Sequence, residues 1–190
     1  MGLFCEVPET EEFDGEAYAE PPFDDSFVEE REIVEKPPRQ DVSIRPIRDW
    51  GVVIDHMQPY KEDVIVRLLD VRERRDIYRA ATVKPVNRPG DVKGMLMIEK
   101  RELDDDDLRA IAAVSPGCTV NFVQDAKVRR KLRLRMPARI EGVRRMVCTN
   151  RGCITRPEHL EAVSPVLVRS GGDKLRCRYC DHLMDTVHFK

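Results

Sequence analysis

From residue 43 onward the spacing of apolar positions organises the chain. GVVIDHM (51–57) is apolar and β-branched, bounded by Gly51 and by Gln58-Pro59, the pattern of a buried strand. In KEDVIVRLLDV (61–71), Val64, Leu68 and Val71 share one helical face behind acids in the first turn, which predicts a helix. DIYRAATVK (76–84) and VKGMLMIEK (92–100) predict strands, joined by the turn-rich PVNRPGD (85–91). LDDDDLRAIAAVSPG (103–117) predicts a second helix, stopped by Ser115-Pro116-Gly117. Its run of aspartates resembles a metal cluster, but capping and the positive end of the helix dipole account for acids at a helix start. TVNFVQ (119–124) and KVRRKLRLRMP (127–137) predict two more strands. In the second, Val128, Leu132, Leu134 and Met136 share one parity and basic residues mostly take the other. The order β-α-β-β-α-β plus one strand predicts an α+β, ferredoxin-like (split βαβ) domain: a mostly antiparallel sheet with two helices on one face.

The pattern fails at both ends of this domain, for different reasons. Residues 142–190 hold short strands near 164–169 and 184–189, and too few apolar residues to stabilise a core unaided. Residues 1–41 carry 14 acidic and 3 basic side chains, a net of −11, whereas the remainder has 21 acidic and 30 basic, a net of +9. The overall −2 conceals this asymmetry. With Pro-Pro at 21–22 and 37–38 and no sustained periodicity, residues 1–42 read as an acidic disordered arm. Its scattered aromatics, Phe4, Phe13, Tyr18, Phe23 and Phe27, are candidate anchors onto a partner or onto the basic body, although a solubilising tail is the simpler expectation. The division is therefore 1–42, 43–137 and 142–190.

Cysteine spacing supplies the stability that 142–190 lacks. Cys148-x4-Cys153 and Cys177-x2-Cys180 are two close pairs separated by 23 residues, and four thiolates on two short loops can converge on one tetrahedral Zn²⁺. A redox CxxC has no use for the second pair. A disulfide framework needs an oxidising compartment. The chain start has neither a basic nor an apolar leader region, and no stretch approaches 18 apolar residues, so the reading is a reduced cytoplasmic protein without a membrane span. One structural zinc per chain is expected. His182 sits too close to Cys180 to be a preferred ligand, Cys5 and Cys118 stand alone, and Met-Gly at the start lacks the Ser or Thr of a myristoylation signal.

GVVIDHM, then IEK before an acidic helix start, SPGCTVNFV, VRRKLRLRMPARI, CTNRGCIT and LRCRYC together resemble the regulatory chain family of aspartate carbamoyltransferase, from about residue 44 to 190. The resemblance implies a non-catalytic subunit of an enzyme of pyrimidine biosynthesis. It implies a first domain that binds nucleotide effectors and pairs with a second regulatory chain as a homodimer. It also implies a zinc domain, held by Cys148, Cys153, Cys177 and Cys180, that docks on the catalytic chain.

By the same resemblance, Asp55 and His56 match an effector pocket at the end of the first strand, Asn121 and Val128 match lining positions, and Lys131 matches a phosphate-associated base. Without it, Asp55-His56 would be the polar end of a buried strand and Lys131 an ordinary solvated lysine. Met97 stands where the family commonly has a nucleotide-contacting lysine, and a thioether offers no donor. Lys100, Gly94 and Ala126 also depart from the pattern, and IRDWG and PARIEGVRRMVC carry extra residues. These departures imply weakened nucleoside triphosphate control, unless Lys93, of the same strand parity as Met97, has taken over the lost contact.

The competing reading is a zinc-ribbon nucleic-acid-binding protein, suggested by Arg129, Arg130, Lys131, Arg133 and Arg135 beside a cysteine knuckle. Aromatic residues are not interleaved with that run, which counts against it. Catalysis is disfavoured as well: there are four histidines, no Ser-His-Asp order and no GxGxxG, and a zinc held by four cysteines has no open coordination position.

Overall fold

The computed structural model describes residues 26–34, 45–84, 92–143, 145–159, 163–171, 174–185 and 187–189. The fold is α+β. Its main sheet contains β1 (Val28–Glu30), β2 (Trp50–Met57), β3 (Tyr78–Val83), β4 (Lys93–Glu99), β5 (Thr119–Gln124) and β6 (Lys127–Leu134), in the order β1-β6-β5-β2-β4-β3. Every pairing is antiparallel. Side chains alternate across the strands, so Val52, Ile54, Leu96, Ile98, Val120, Leu132 and Leu134 point to one side. There they meet Ile65, Val66 and Leu69 from α1 (Glu62–Leu68) and its following turn, and Leu108, Ile111 and Ala112 from α2 (Asp105–Val114). Among the described residues, no helix lies on the opposite face.

Most predicted elements are present, with shorter ends. The expected 61–71 helix closes at Leu68, where Leu69 caps it and Asp70 turns the chain with φ +51°. Val71 still reaches the core, so its apolar spacing reflects burial through a turn rather than a further helical turn. In α2 the aspartates act as the sequence implied: Asp104 is the N-cap, its carboxylate accepting from the Asp107 amide at 2.8 Å. The connection 85–91 lies outside the described residues.

One expectation is corrected. Within the arm read as disordered, residues 28–30 form β1, with Val28, Glu29 and Glu30 opposite Leu134, Arg133 and Leu132. The cause is Phe27, buried in the main core with the Arg109 guanidinium 4.9 Å from its ring centre. Around it, Glu29 pairs with Arg135 at 2.7 Å and with Arg31 at 2.9 Å, and Glu30 pairs with Arg130 at 3.4 Å. Such exposed pairs contribute about 0.2–1 kcal/mol each. Burying a phenylalanine contributes about 2 kcal/mol or more. Phe27 therefore anchors the strand, and the charges set its register.

Gly51 marks where two strands approach most closely. Its φ is +154°, and a Cβ there would overlap the Ile98 carbonyl oxygen and lie 3.0 Å from Glu99 Cα, both backbone atoms that cannot step aside. Gly51→Ala is expected to cost about 3 kcal/mol, at the upper end of overpacking penalties. A urea midpoint within error of the parent would refute this.

The second unit has its own core. β7 (Arg139–Ile140), β9 (Leu167–Arg169), β10 (Leu175–Cys177) and β11 (Leu183–Met184) form one small sheet, ordered β11-β10-β9-β7. β8 (Met146–Val147) and β12 (His188–Phe189) form a two-stranded ribbon. β7 thus joins the second sheet ahead of residue 142, where the sequence placed the start of this unit. The strand expected near 184–189 is split between β11 and β12. Val143 and Phe189 pack against both cores, and Arg145 reaches Asp70 at 3.5 Å across the junction.

Candidate metal centre and sheet face

Two loops bring the paired cysteines together. Cys148 follows β8, and a turn in which the Cys153 amide donates to the Asn150 carbonyl returns Cys153 towards it. Asn150 tightens that turn by accepting from the Gly152 amide at 3.0 Å. Cys177 ends β10, and the next turn is closed by the Asp181 amide on the Cys177 carbonyl and the Cys177 amide on the His182 carbonyl. The Arg156 guanidinium holds the Cys148 carbonyl at 3.3 Å.

The resulting geometry suits a tetrahedral metal. The four Sγ atoms lie within 4.8 Å of one another; Cys148–Cys180 is 3.6 Å and Cys153–Cys177 is 3.7 Å. Four sulfurs at about 2.3 Å from a central zinc would be about 3.8 Å apart. Cys148, Cys153 and Cys177 are almost fully buried in the second core. Burial pushes the Cys148 and Cys177 thiols upward. Burial opposes ionisation of Cys153 too, but bonding to Thr155, with the hydroxyl 3.2 Å from Sγ, and to Cys180 and Cys177 brings it down to about 7. Thr155 was invisible to the spacing argument, although its place two residues after a cysteine is a usable cue. Cys118 stands apart in the main core, its thiol pushed up to about 12 by burial, and is inert. Cys5 lies outside the described residues.

By register, Asp55, Asn121, Val128 and Lys131 from the sequence-named set lie on the helix-free side of the sheet, spread along it: Val128 is level with Gly51 and Asp55 with Thr119. Asn121 lies in register between Val53 and Lys131, and its amide donates to the Val53 carbonyl at 3.3 Å. Val128 pairs with Val123 and stays partly exposed. Asp55 accepts from the His56 amide at 2.8 Å, where a register shift and φ +58° at His56 bend β2. The His56 ring lies 3.1 Å from the same carboxylate.

Two ion pairs on this face went unseen in the sequence. Lys93 binds Asp55 at 2.7 Å. Arg79, opposite Met97 on β3, pairs with Glu99. Arg79 across from Met97, and Lys93 four positions along the same strand, are thereby committed to carboxylates, while Lys131 has no ion-pair partner among the described residues. The sequence cue was shared parity across a predicted hairpin, but pairing Arg79 with Glu99 required the register itself.

A family model described as "Aspartate carbamoyltransferase regulatory chain, allosteric domain" matches residues 42–135, and one described as its metal binding domain matches 138–189. The chain belongs to the aspartate carbamoyltransferase regulatory chain family. As a regulatory chain it is a non-catalytic subunit, and its four-cysteine cluster lies within the stretch matched as metal-binding. It is 32% identical over 149 residues to the aspartate carbamoyltransferase regulatory chain of Methanococcus maripaludis, covering 78% of this chain and 97% of the relative. It is 36% identical over 135 residues to that of Methanopyrus kandleri, covering 70% and 84%. The match to protein PyrBI of Thermotoga maritima, 32% identical, covers 73% of this chain but 27% of that longer protein. Among the described residues no helix is long and apolar enough to cross a membrane.

Proposed function

We propose that this chain is a structural and regulatory subunit that docks on the aspartate carbamoyltransferase catalytic chain through its cysteine-bound unit, with one zinc per chain held by Cys148, Cys153, Cys177 and Cys180. The carrying observation is the convergence of four sulfurs at tetrahedral spacing inside a stretch matched as a metal-binding domain. Zinc bound by four cysteines has no free position for a substrate or water, so its role is to hold the two loops rigid. That unit exposes Ile154, Tyr179 and Leu183, large apolar side chains of the kind a partner surface covers. In this reading the chain works in the reducing cytoplasm, in pyrimidine biosynthesis. The family matches disfavour the zinc-ribbon alternative.

The main sheet is read as a ferredoxin-like domain that pairs with a second copy and carries an effector pocket on its helix-free face. The strand order β5-β2-β4-β3, with α1 and α2 on the other face, supports this. The pocket would be formed by Asp55, His56, Asn121, Val128 and Lys131. Its affinity for nucleoside triphosphates is expected to be weak. Met97 offers no donor, and Lys93 and Arg79 must leave Asp55 and Glu99 before either can meet a phosphate. One missing charge-assisted contact costs about 1.5–3 kcal/mol, roughly ten- to a hundred-fold in affinity. Titration calorimetry with cytidine or adenosine triphosphate is therefore expected to show weak binding that Met97→Lys strengthens about ten-fold or more. Tight binding by the parent, lost in Lys93→Ala, would show that Lys93 has taken over the contact and would overturn the weakened-pocket reading.

A further inference from the structure

We propose that segment 26–34 closes the β6 edge of the sheet from within the chain, and so limits edge-to-edge assembly to the opposite edge, β3. The sheet has two ends, and a bare strand at either end presents unpaired N–H and C=O groups to any other strand. Along the C-terminal half of β6 and its exit, the donors and acceptors facing outward belong to Lys131, Arg133 and Arg135. The Arg31 amide donates to the Lys131 carbonyl, and the Arg135 amide donates to the Phe27 carbonyl. Leu134, between them, bonds inward to Gly117 and Cys118. The segment therefore satisfies the outward groups of the C-terminal half of β6 and its exit, while Phe27 covers the apolar residues beneath.

Charge makes this occupant specific. β6 and its exit carry Lys127, Arg129, Arg130, Lys131, Arg133 and Arg135, and β1 brings Glu29 and Glu30 against them. A second β6 would set cations against cations, which is unfavourable between facing strands. An uncharged strand would meet no such opposition, and β3 (YRAATV) is nearly uncharged. With the closure in place, β3 is the one edge strand without a covering segment among the described residues, and edge pairing ends at two copies. Without it, each copy offers two unlike edges, and pairing β3 to β6 is head-to-tail and need not close.

The segment lies outside the family match, which starts at residue 42, and relatives aligned over 97% of their length have no room for such an arm. A chain lacking residues 1–34 is accordingly expected to fold. The test is sedimentation velocity over a concentration series, comparing the full-length chain, the chain lacking 1–34, and full-length Phe27→Ser/Glu29→Pro. The double variant removes the anchor and one of the donors facing β6. The full-length chain is expected to stay at or below two copies, and both released forms to grow past two as concentration rises. Adding Arg133→Pro to the truncated chain removes an outward N–H without touching the bonds to β5, and is expected to reverse the growth. Three results would overturn the proposal: no change on release, growth that Arg133→Pro leaves intact, or a fall in size on truncation, which would mean the arm links copies. A monomeric full-length chain would defeat the paired-domain reading and leave this comparison intact.

Discussion

Removal of metal from the four-cysteine cluster is expected to unfold residues 139–189 and leave the main sheet folded. The second unit is built from strands of two or three residues, and Cys148, Cys153 and Cys177 are a substantial part of its core. A structural zinc contributes about 10–16 kcal/mol to the folding of small cysteine-bound units. The remaining apolar side chains, Ile140, Met146, Leu167, Leu175, Met184 and Val187, cannot replace that against the entropy of ordering about 50 residues. The main sheet has a separate core around Val52, Ile54, Leu96, Ile98 and Val120 and needs no metal. Hydrogen exchange after chelation should therefore show lost protection at Leu167, Leu175 and Cys177, with protection kept at Val52, Ile98 and Val120. Cys177→Ser should act in the same direction. A metal-free, reduced chain that keeps Leu175 protected would refute the structural role of the metal.

The second large effect lies inside the main domain. Arg101 is 6% exposed, and its guanidinium meets Asp76 at 3.4 Å, Asp107 at 3.3 Å and the Leu69 carbonyl at 3.3 Å. One side chain thus ties the turn after α1 to the start of α2. Burial pushes the Asp107 carboxyl upward, and nearby Asp104 adds to this; Arg101 opposes both. Removing one partner of a buried ion pair costs about 3–5 kcal/mol. Asp76 and Asp107 keep some contact with water, so Arg101→Ala should fall near the lower end, about 3 kcal/mol. Arg101→Met, which retains more of the packed stem, should cost less. Urea unfolding with an unchanged slope would measure both, and a change below about 0.5 kcal/mol for the alanine variant would contradict the assignment.

How far the sequence could be read depended on length and on locality. β5 matches its predicted bounds because Ser115-Pro116-Gly117 stops the preceding helix and the six residues are bounded on both sides. The metal centre was legible because both cysteine pairs sit in tight local turns whose spacing is itself the geometry. β7, β8, β10 and β11 are two or three residues long, too short for any period to show. β1 was hidden for another reason. Its composition signals disorder, and only the pairing of Phe27-Val28-Glu29-Glu30 with a basic strand about 100 residues away turns that composition into an edge strand. The effector face was named by resemblance alone. Residue spacing could not show that Lys93 and Arg79 are already engaged with Asp55 and Glu99, because those contacts depend on strand register.

The cysteine-bound unit is proposed to be a metal-dependent docking module for the catalytic chain. Its most direct test is to mix the zinc-loaded chain with purified aspartate carbamoyltransferase catalytic chain and determine the mass of the product by light scattering during gel filtration. A complex that forms with the zinc-loaded chain, and fails to form with the chelated chain or with Cys177→Ser, is the predicted result. Separate elution of the zinc-loaded chain and the catalytic chain, or a complex that survives loss of the metal, would contradict it.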